Sequence, residues 1–314
     1  MVVDLNVALA GRVVAVAGIA GSVDAIEPLA GGVGSAVFGV RTDGVDVVVK
    51  IYPDHARSSL HKELWVYEYL AQHAPSLPVP KVLAVDESGS LLPQAFSVLT
   101  RLDGVYLRSE LNRLTRHDLI RVYRQMGSAL RTLHDVRLPQ FGEVMPGRGT
   151  RYLSNPAFML RQFELALETF ERLGGDPSLH GRLNAYVSER HELLECQERA
   201  SFCHNDGHDA NMLVTPSRSG WVLSGLLDFE HALAGDPLFD LAKTYYFAPD
   251  RSEELLAALT ESHAPLITHW RDAFDLYLVY HQLRLWNLLA GLDVTDRLPG
   301  IAEELLRVLA APTS

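Results

Sequence analysis

The 314-residue sequence has few cysteines and fewer basic than acidic side chains. Lysine and arginine total 28 against 39 aspartate and glutamate residues, so the formal net charge is −11. Nucleic-acid-binding proteins present a basic surface, and this balance therefore argues against that class. The two cysteines, Cys196 and Cys203, have neither the spacing of zinc ligands nor the number of a disulfide framework. They indicate a reducing compartment.

Long hydrophobic runs are also missing from the sequence. The apolar segment 13–20 follows Asp4 and has Arg12 as its single preceding cation, so it lacks the basic start of a signal peptide. No uninterrupted run reaches the roughly 20 residues of a membrane-spanning helix. We therefore expect a cytoplasmic protein with no membrane partner. Internal repeats are absent, and the length allows two lobes with a sizeable core.

Residues with catalytic potential concentrate in the stretch 201–242. Asp206 is followed five residues later by Asn211, and Asp228 ends the mostly apolar run 222–227. The spacing resembles the kinase pattern H-R-D-x-x-x-x-N with D-F-G downstream. Phosphoryl transfer uses such a set, because one carboxylate orients the acceptor hydroxyl and accepts its proton while an amide and a second carboxylate bind magnesium. The stretch predicts a kinase-like catalytic centre.

Two other interpretations fit part of the stretch 201–242. His204, Asp206, His208 and Asp209 offer imidazole and carboxylate ligands, as in a metallohydrolase, but that interpretation leaves Asn211 and Asp228 without a role. A plain Asn/Asp/Gly-rich surface loop has similar turn chemistry. The kinase interpretation accounts for more of the residues than either alternative.

The N-terminal part predicts a β-rich nucleotide-binding lobe. Glycines in the turn 31–36 let backbone N–H groups approach phosphates, and we expect Gly32, Gly34 and Ser35 to do so. Lys50 ends the apolar run 47–49, where a lysine needs an anion to meet. In kinases this lysine pairs with nucleotide phosphates and with a glutamate from the next helix.

The segment 58–72 has the apolar spacing of that helix. Glu63 is the candidate partner of Lys50, with Glu68 second, although either one fits a solvated helix surface equally well. We place a hinge at 100–104, where the backbone of Thr100 and Leu102 would contact the nucleotide base. The predicted domains are a nucleotide-binding lobe at 1–103 and a catalytic, acceptor-binding lobe at 104–314.

In these residues the chain resembles the aminoglycoside phosphotransferase family of kinase-like small-molecule kinases. The family pattern reads approximately H-G-D-x-H-x-x-N, then an aspartate block, then G-D-P-x-x-D-L-A. This sequence reads His-Asn-Asp-Gly-His-Asp-Ala-Asn at 204–211, Leu-Leu-Asp-Phe-Glu at 226–230 and Gly-Asp-Pro-Leu-Phe-Asp-Leu-Ala at 235–242. It departs from the pattern at Asn205, usually glycine, and at Asp209, whose charge suits either a cationic acceptor or a solvated turn.

The resemblance covers roughly residues 25–290 and implies a protein-kinase-like α+β fold. The N-terminal lobe would be mostly antiparallel β with one helix, and the C-terminal lobe would be α-rich. Asp206 would be the catalytic base, and Asn211 and Asp228 would bind the magnesium of ATP or GTP. We give His204, Asp236 and Asp240 supporting roles, with plain helix capping as the alternative for the two aspartates.

The expected reaction moves the γ-phosphate to a hydroxyl of a small molecule. An antibiotic, such as an aminoglycoside or another sugar-bearing drug, is the first expectation for the acceptor, and the acidic balance of the chain favours a cation. A metabolic kinase of choline, homoserine or a sugar is the alternative, and choline would need an aromatic cage. A nucleotide-binding module without catalysis is a further alternative. The intact Lys50, Asp206, Asn211 and Asp228 argue against it.

Overall fold

The computed structural model describes residues 5–29, 35–195, 199–218, 220–263 and 270–310. Gly32, Gly34 and Cys196 lie outside these ranges. The helices are α1 (Val7–Ala15), α2 (Arg57–His73), α3 (Leu107–Glu110), α4 (Arg116–His134), α5 (Asn155–Arg172), α6 (Pro177–Glu189), α7 (Pro237–Tyr246), α8 (Glu253–Thr260), α9 (Trp270–Gly291) and α10 (Leu298–Ala310). The strands are β1 (Val23–Leu29), β2 (Ala36–Thr42), β3 (Val45–Tyr52), β4 (Val82–Asp86), β5 (Ala95–Thr100), β6 (Val105–Tyr106), β7 (Arg137–Leu138), β8 (Phe141–Glu143), β9 (Arg151–Tyr152), β10 (Ala200–Cys203), β11 (Met212–Ser217), β12 (Gly220–Leu226) and β13 (Leu233–Gly235).

The chain forms two compact units. The first comprises Met1–Glu110 together with Ala210–His231, and the second comprises Leu111–Asp209 with Ala232–Ser314. The hairpin of β11 and β12 thus belongs to the first unit, because β11 also pairs with β6. The functional division at residue 103 stays a prediction.

The first unit is built on an antiparallel five-stranded sheet in the order β1-β2-β3-β5-β4. In β3, Val47, Val49 and Ile51 are almost fully buried and join a core with α1. Side chains of a strand alternate between its faces, so Lys50 and Tyr52 point to the opposite face. This alternation decides which β3 residues are available to the candidate site.

The prediction of a single helix in the N-terminal lobe was wrong. Besides α2 and the one-turn α3, the helix α1 begins at the cap residue Asn6, whose side chain accepts a hydrogen bond from the Leu9 N–H. Ala10, Val13 and Val14 lie at helical spacing and are fully buried against the sheet. Apart from Gly11 and Arg12 the segment is apolar, so its sequence gives little sign of this periodicity.

The second unit is mostly helical and contains the sheet β7-β10-β13-β8-β9. Its long helix α9 packs against α5, α7 and α10, which explains why α9 is buried on most of its circumference. Several helices begin with an oxygen-bearing cap followed by proline in the first turn, as at Asp176-Pro177 and Asp236-Pro237. Across the part of the chain that the structure describes, every helix falls short of what a membrane crossing requires.

Candidate active site

Lys50 and Glu63 form the centre of the candidate site in the first unit. Lys50 Nζ lies 2.7 Å from Glu63 Oε2 and 3.9 Å from Asp228 Oδ1, so β3, α2 and the end of the β11–β12 hairpin meet at one ammonium group. Burial lowers the pKa of Lys50, but Glu63 and Asp228 outweigh it and hold the pKa above its ordinary value. The Lys50 side chain is therefore a charged ammonium group at neutral pH.

Two tyrosines that the sequence analysis missed hold Glu63. The Tyr52 hydroxyl donates to Glu63 Oε2 at 2.9 Å, and the Tyr67 hydroxyl donates to Glu63 Oε1 at 3.0 Å. Burial and the Glu63 charge raise the pKa of both phenols well above the ordinary value, so they remain protonated donors. Spacing was the available signal: Tyr52 follows Lys50 by two positions on a strand, and Tyr67 follows Glu63 by four on a helix.

Asn211 and Asp228 stand at matching ends of the β11–β12 hairpin. The Leu227 N–H donates to the Asn211 carbonyl at 2.9 Å, which places the residue before Asp228 beside Asn211. Asn211 is buried, and Asp228 has a left-handed φ of 64°. Such a backbone is uncommon outside glycine and is found at functional sites. The first unit therefore brings together Lys50, Glu63, Asn211 and Asp228.

The remaining nucleotide candidates of the first unit lie in or beside strand ends. Ser35 precedes β2 and is half-buried. Thr100 ends β5 and is tied to Lys81, because its N–H donates to the Lys81 carbonyl and its hydroxyl accepts from the Lys81 N–H. Leu102 is half-buried beside Gly225. Contacts of these three residues with a nucleotide stay predictions, as do those of Gly32 and Gly34.

The loop that carries Asp206 leaves β10 in the second unit. His204 is fully buried, and burial lowers its pKa, so the ring is neutral and its Nδ1 accepts the Asp206 N–H at 3.2 Å. Asn205 has a φ of 55°. Asparagine tolerates this left-handed conformation better than most residues, which explains how it replaces the usual glycine. A Cβ at Gly207 would lie 2.7 Å from Thr244 Oγ1, so the loop packs closely on α7.

Asp240 anchors this loop by accepting hydrogen bonds from its backbone. The fully buried carboxylate accepts the His204 N–H at 2.7 Å through Oδ2 and the Asn205 N–H at 2.8 Å through Oδ1. His134 Nε2 lies 3.1 Å from Oδ2, and His134 Nδ1 lies 2.9 Å from His263 Nε2. Burial alone would raise the pKa of Asp240, but these hydrogen bonds hold it below its ordinary value. The carboxylate is a loop anchor rather than a plain helix cap.

Asp236 has the capping role that the sequence suggested. Its Oδ1 accepts the Leu238 N–H at 2.9 Å at the start of α7, and its Oδ2 accepts the Tyr277 hydroxyl at 2.8 Å. Tyr277 in turn accepts a hydrogen bond from Asn155 Nδ2 at 2.8 Å. The network joins α5, α7 and α9 beneath the loop and gives Asp236 a structural function.

A lysine and a histidine lie beside the Asp206 carboxylate within the second unit. Lys243 Nζ lies 3.1 Å from Asp206 Oδ1, and His208 Nε2 lies 3.4 Å from Oδ2. Asp209 is 7% exposed and lies 4.0 Å from His208 Nδ1, so it is not the solvated turn residue considered from sequence. Lys243 was missed, although its position one turn after Asp240 offered a signal.

The first unit holds an ammonium group paired with a helix glutamate and a hairpin that carries an amide and a carboxylate. The second unit holds the anchored loop of Asp206. The kinase pattern of the sequence predicted these features. The family model described as phosphotransferase enzyme family matches residues 25–276, and the chain belongs to this family. The predicted family is thereby confirmed. The predicted enzyme class, a phosphotransferase, is confirmed together with the family.

Individual relatives are more distant. A stretch of 102 residues, 31% of this chain, is 29% identical to the N-acetylmuramate/N-acetylglucosamine kinase of Caulobacter vibrioides (strain ATCC 19089 / CIP 103742 / CB 15). The chain matches only 27% of that relative's length.

Solved structures show the fold. A thermostable mutant of aminoglycoside phosphotransferase APH(4)-Ia, in ternary complex with AMP-PNP and hygromycin B, superposes with a TM-score of 0.69 and 19% identity, covering 93% of this chain and 96% of that one. A protein of Thermobifida fusca YX-ER1 described as a fructosamine-3-kinase gives 0.67 and 20%, covering 94% and 97%. The predicted kinase-like fold class is confirmed.

Proposed function

We propose that this protein transfers the γ-phosphate of ATP or GTP to a hydroxyl group of a small molecule. The observation that carries the proposal is the Lys50 ammonium, which lies 2.7 Å from Glu63 and 3.9 Å from Asp228. This geometry suits a cation that positions nucleotide phosphates next to a metal-binding carboxylate. The APH(4)-Ia neighbour holds AMP-PNP, which supports a nucleoside triphosphate as donor.

Asn211 and Asp228 are the groups that would hold magnesium. An amide oxygen and a carboxylate oxygen are the hard donors that this ion accepts, and the hairpin sets their residues side by side. When bound, the ion would offset negative charge on the phosphates. Asp228, at the end of β12, is the candidate with a carboxylate charge to contribute.

Asp206 is the proposed catalytic base. Its carboxylate orients the acceptor hydroxyl and takes the proton as the new oxygen–phosphorus bond forms and the bond to the nucleoside diphosphate breaks. Because the transition state is loose, proton transfer is late and gains more from orientation than from base strength. The anchored loop and the hydrogen bond from the Asp206 N–H to His204 support this role, since both restrain the carboxylate.

The acceptor proposal has two candidates. An antibiotic such as an aminoglycoside or another sugar-bearing drug is supported by the fold, which the APH(4)-Ia structure with hygromycin B shares. A metabolic sugar kinase is the second, supported by relatives described as an N-acetylmuramate/N-acetylglucosamine kinase and a fructosamine-3-kinase. A role in antibiotic resistance belongs to the first candidate alone.

A nucleotide-consumption screen tests the proposal. The intact protein with magnesium and ATP or GTP is incubated with a panel of antibiotics, amino sugars, neutral sugars, choline and homoserine. Product is identified by mass increase of the acceptor. We expect Asp206→Ala to abolish transfer while nucleotide affinity is nearly kept. As the control, Asp135→Ala, which removes an exposed carboxylate directly after α4, should leave transfer unchanged. Transfer by Asp206→Ala at the wild-type kcat would remove Asp206 as the base.

A further inference from the structure

Lys243 and Asp240 act on the same loop from one face of α7. The two residues are three positions apart on the helix, so their side chains are neighbours. Asp240 accepts the backbone N–H groups of His204 and Asn205. Lys243 donates to the backbone carbonyl of Asn205 and pairs with Asp206 Oδ1 at 3.1 Å. The Asp240 carboxylate and the Lys243 ammonium group therefore both hold the loop.

This arrangement holds the peptide groups on both sides of Asn205. Its N–H donates to Asp240 Oδ1, and its carbonyl accepts from Lys243 Nζ. Asn205 has a φ of 55°, a conformation that a non-glycine residue keeps only when its surroundings enforce it. Opposite charges, one helical turn apart, thus fix both sides of the residue that precedes the candidate base.

Lys243 also acts directly on the carboxylate. The side chains of Lys243 and Asp206 are 18% and 17% exposed, so their contact is sheltered from solvent and salt. Charge-assisted hydrogen bonds of this kind are short and directional. A nearby cation makes a carboxylate a weaker base, but a loose phosphoryl-transfer transition state loses little from that and gains from a fixed orientation.

We propose that Lys243 is a positioning residue, which holds the Asp206 carboxylate and the Asn205 carbonyl in the orientation used for phosphoryl transfer. The inference rests on the proposed function, because Asp206 is the candidate base. Lys243 acts through Asp206 and the loop and makes no bond to the phosphoryl group.

The first measurement does not depend on an acceptor. Amide hydrogen exchange of the peptide covering 204–209 is followed in the full-length wild type and in Lys243→Met, Lys243→Arg and Arg161→Met. Arg161 is an exposed cation on α5 and serves as the control. We expect exchange in Lys243→Met to rise by about tenfold or more, because local opening becomes easier. Lys243→Arg and the control stay near wild type, and unchanged exchange in Lys243→Met overturns the inference.

The second measurement separates positioning from general structure. Release of ADP from magnesium-ATP is measured with water and with N-acetylglucosamine as acceptor. In Lys243→Met we expect kcat to fall by about tenfold to a hundredfold while the nucleotide Kd stays within about twofold, because only orientation is lost. Lys243→Arg restores most of kcat. In an Asp206→Asn background, Lys243→Met causes a smaller further loss of kcat than in the wild type, since the ion pair with Asp206 is already gone and only the contact with the Asn205 carbonyl remains.

The outcomes are distinguishable. A wild-type kcat in Lys243→Met, or an equal loss with and without Asp206, overturns the role of Lys243 and leaves the proposed function standing. A wild-type protein that binds neither magnesium-ATP nor magnesium-GTP, and releases no nucleoside diphosphate from either, overturns the proposed function. In that event the exchange experiment still decides whether Lys243 holds the loop.

Discussion

The Tyr67 hydroxyl donates a hydrogen bond to Glu63 Oε1 at 3.0 Å, across one turn of α2. Tyr52 donates to the other oxygen of the same carboxylate, beside Lys50. Glu63 is 2% exposed, so its charge has left water and depends on these three donors. The Lys50–Glu63 pair and the two tyrosine hydrogen bonds that support it are therefore already formed in this structure.

The first prediction concerns the two tyrosine hydroxyls. We expect Tyr67→Phe to lower the free energy of unfolding by about 1.5–3 kcal/mol, because a hydrogen bond to a buried charged group is lost. Tyr52→Phe should behave similarly. Urea unfolding followed by circular dichroism measures both. The control is Tyr152→Phe, a half-buried tyrosine of β9 whose ring packs on Phe158. A Tyr67→Phe protein as stable as wild type would show that Tyr67 does not support Glu63.

The second prediction concerns Lys50. Lys50→Met leaves Glu63 without its cation, so we expect a loss of about 3–5 kcal/mol in stability, as for a buried pair with one partner removed. Nucleotide affinity should fall as well, because the phosphates lose their ammonium group. A Lys50→Met/Glu63→Met double variant should recover stability but not affinity. Calorimetry on both variants gives the two quantities, and retained wild-type affinity in either one would exclude Lys50 from phosphate binding.

The third prediction concerns the proposed metal ligands. Asp228→Ala should weaken binding of the nucleotide in magnesium much more than in EDTA, because the residue would act through the cation. Asn211→Ala should show the same difference at smaller magnitude, since it removes a neutral donor. Isothermal titration calorimetry with and without magnesium measures it. Equal affinities of Asp228→Ala and wild type in magnesium would exclude Asp228 from the metal site.

The fourth prediction concerns pH. Burial lowers the pKa of His263 from 6.5 to about 3, so between these values the unfolded chain binds a proton that the folded chain does not. Stability should therefore fall as the pH drops through this window, by about 1.4 kcal/mol per pH unit for one such histidine. His263→Gln should make the dependence shallower by up to that slope. His117→Gln, at an exposed position on α4, is the control. An unchanged slope in His263→Gln would contradict the prediction.

Much of the site was accessible from sequence because kinase chemistry constrains local spacing. Two of the patterns are short-range and can be seen in a single sequence. They are the five-residue spacing from Asp206 to Asn211 and the hairpin that ends at Asp228. Lys50 was accessible because a lysine at the end of a buried strand is costly. The helix α1 was not accessible, because its segment is apolar except for Gly11 and Arg12 and gives little sign of which side faces the core.

The sequence by itself determined the phosphotransferase family, the β-rich beginning and helical remainder, and the candidates for the reacting groups, since each follows from residue types at fixed local distances. Tertiary structure alone decided that Tyr52 holds Glu63, that Asp240 holds the loop of Asp206, and that Lys243 reaches the Asp206 carboxylate. Those contacts join residues from separate elements, and only packing determines which side chains meet there.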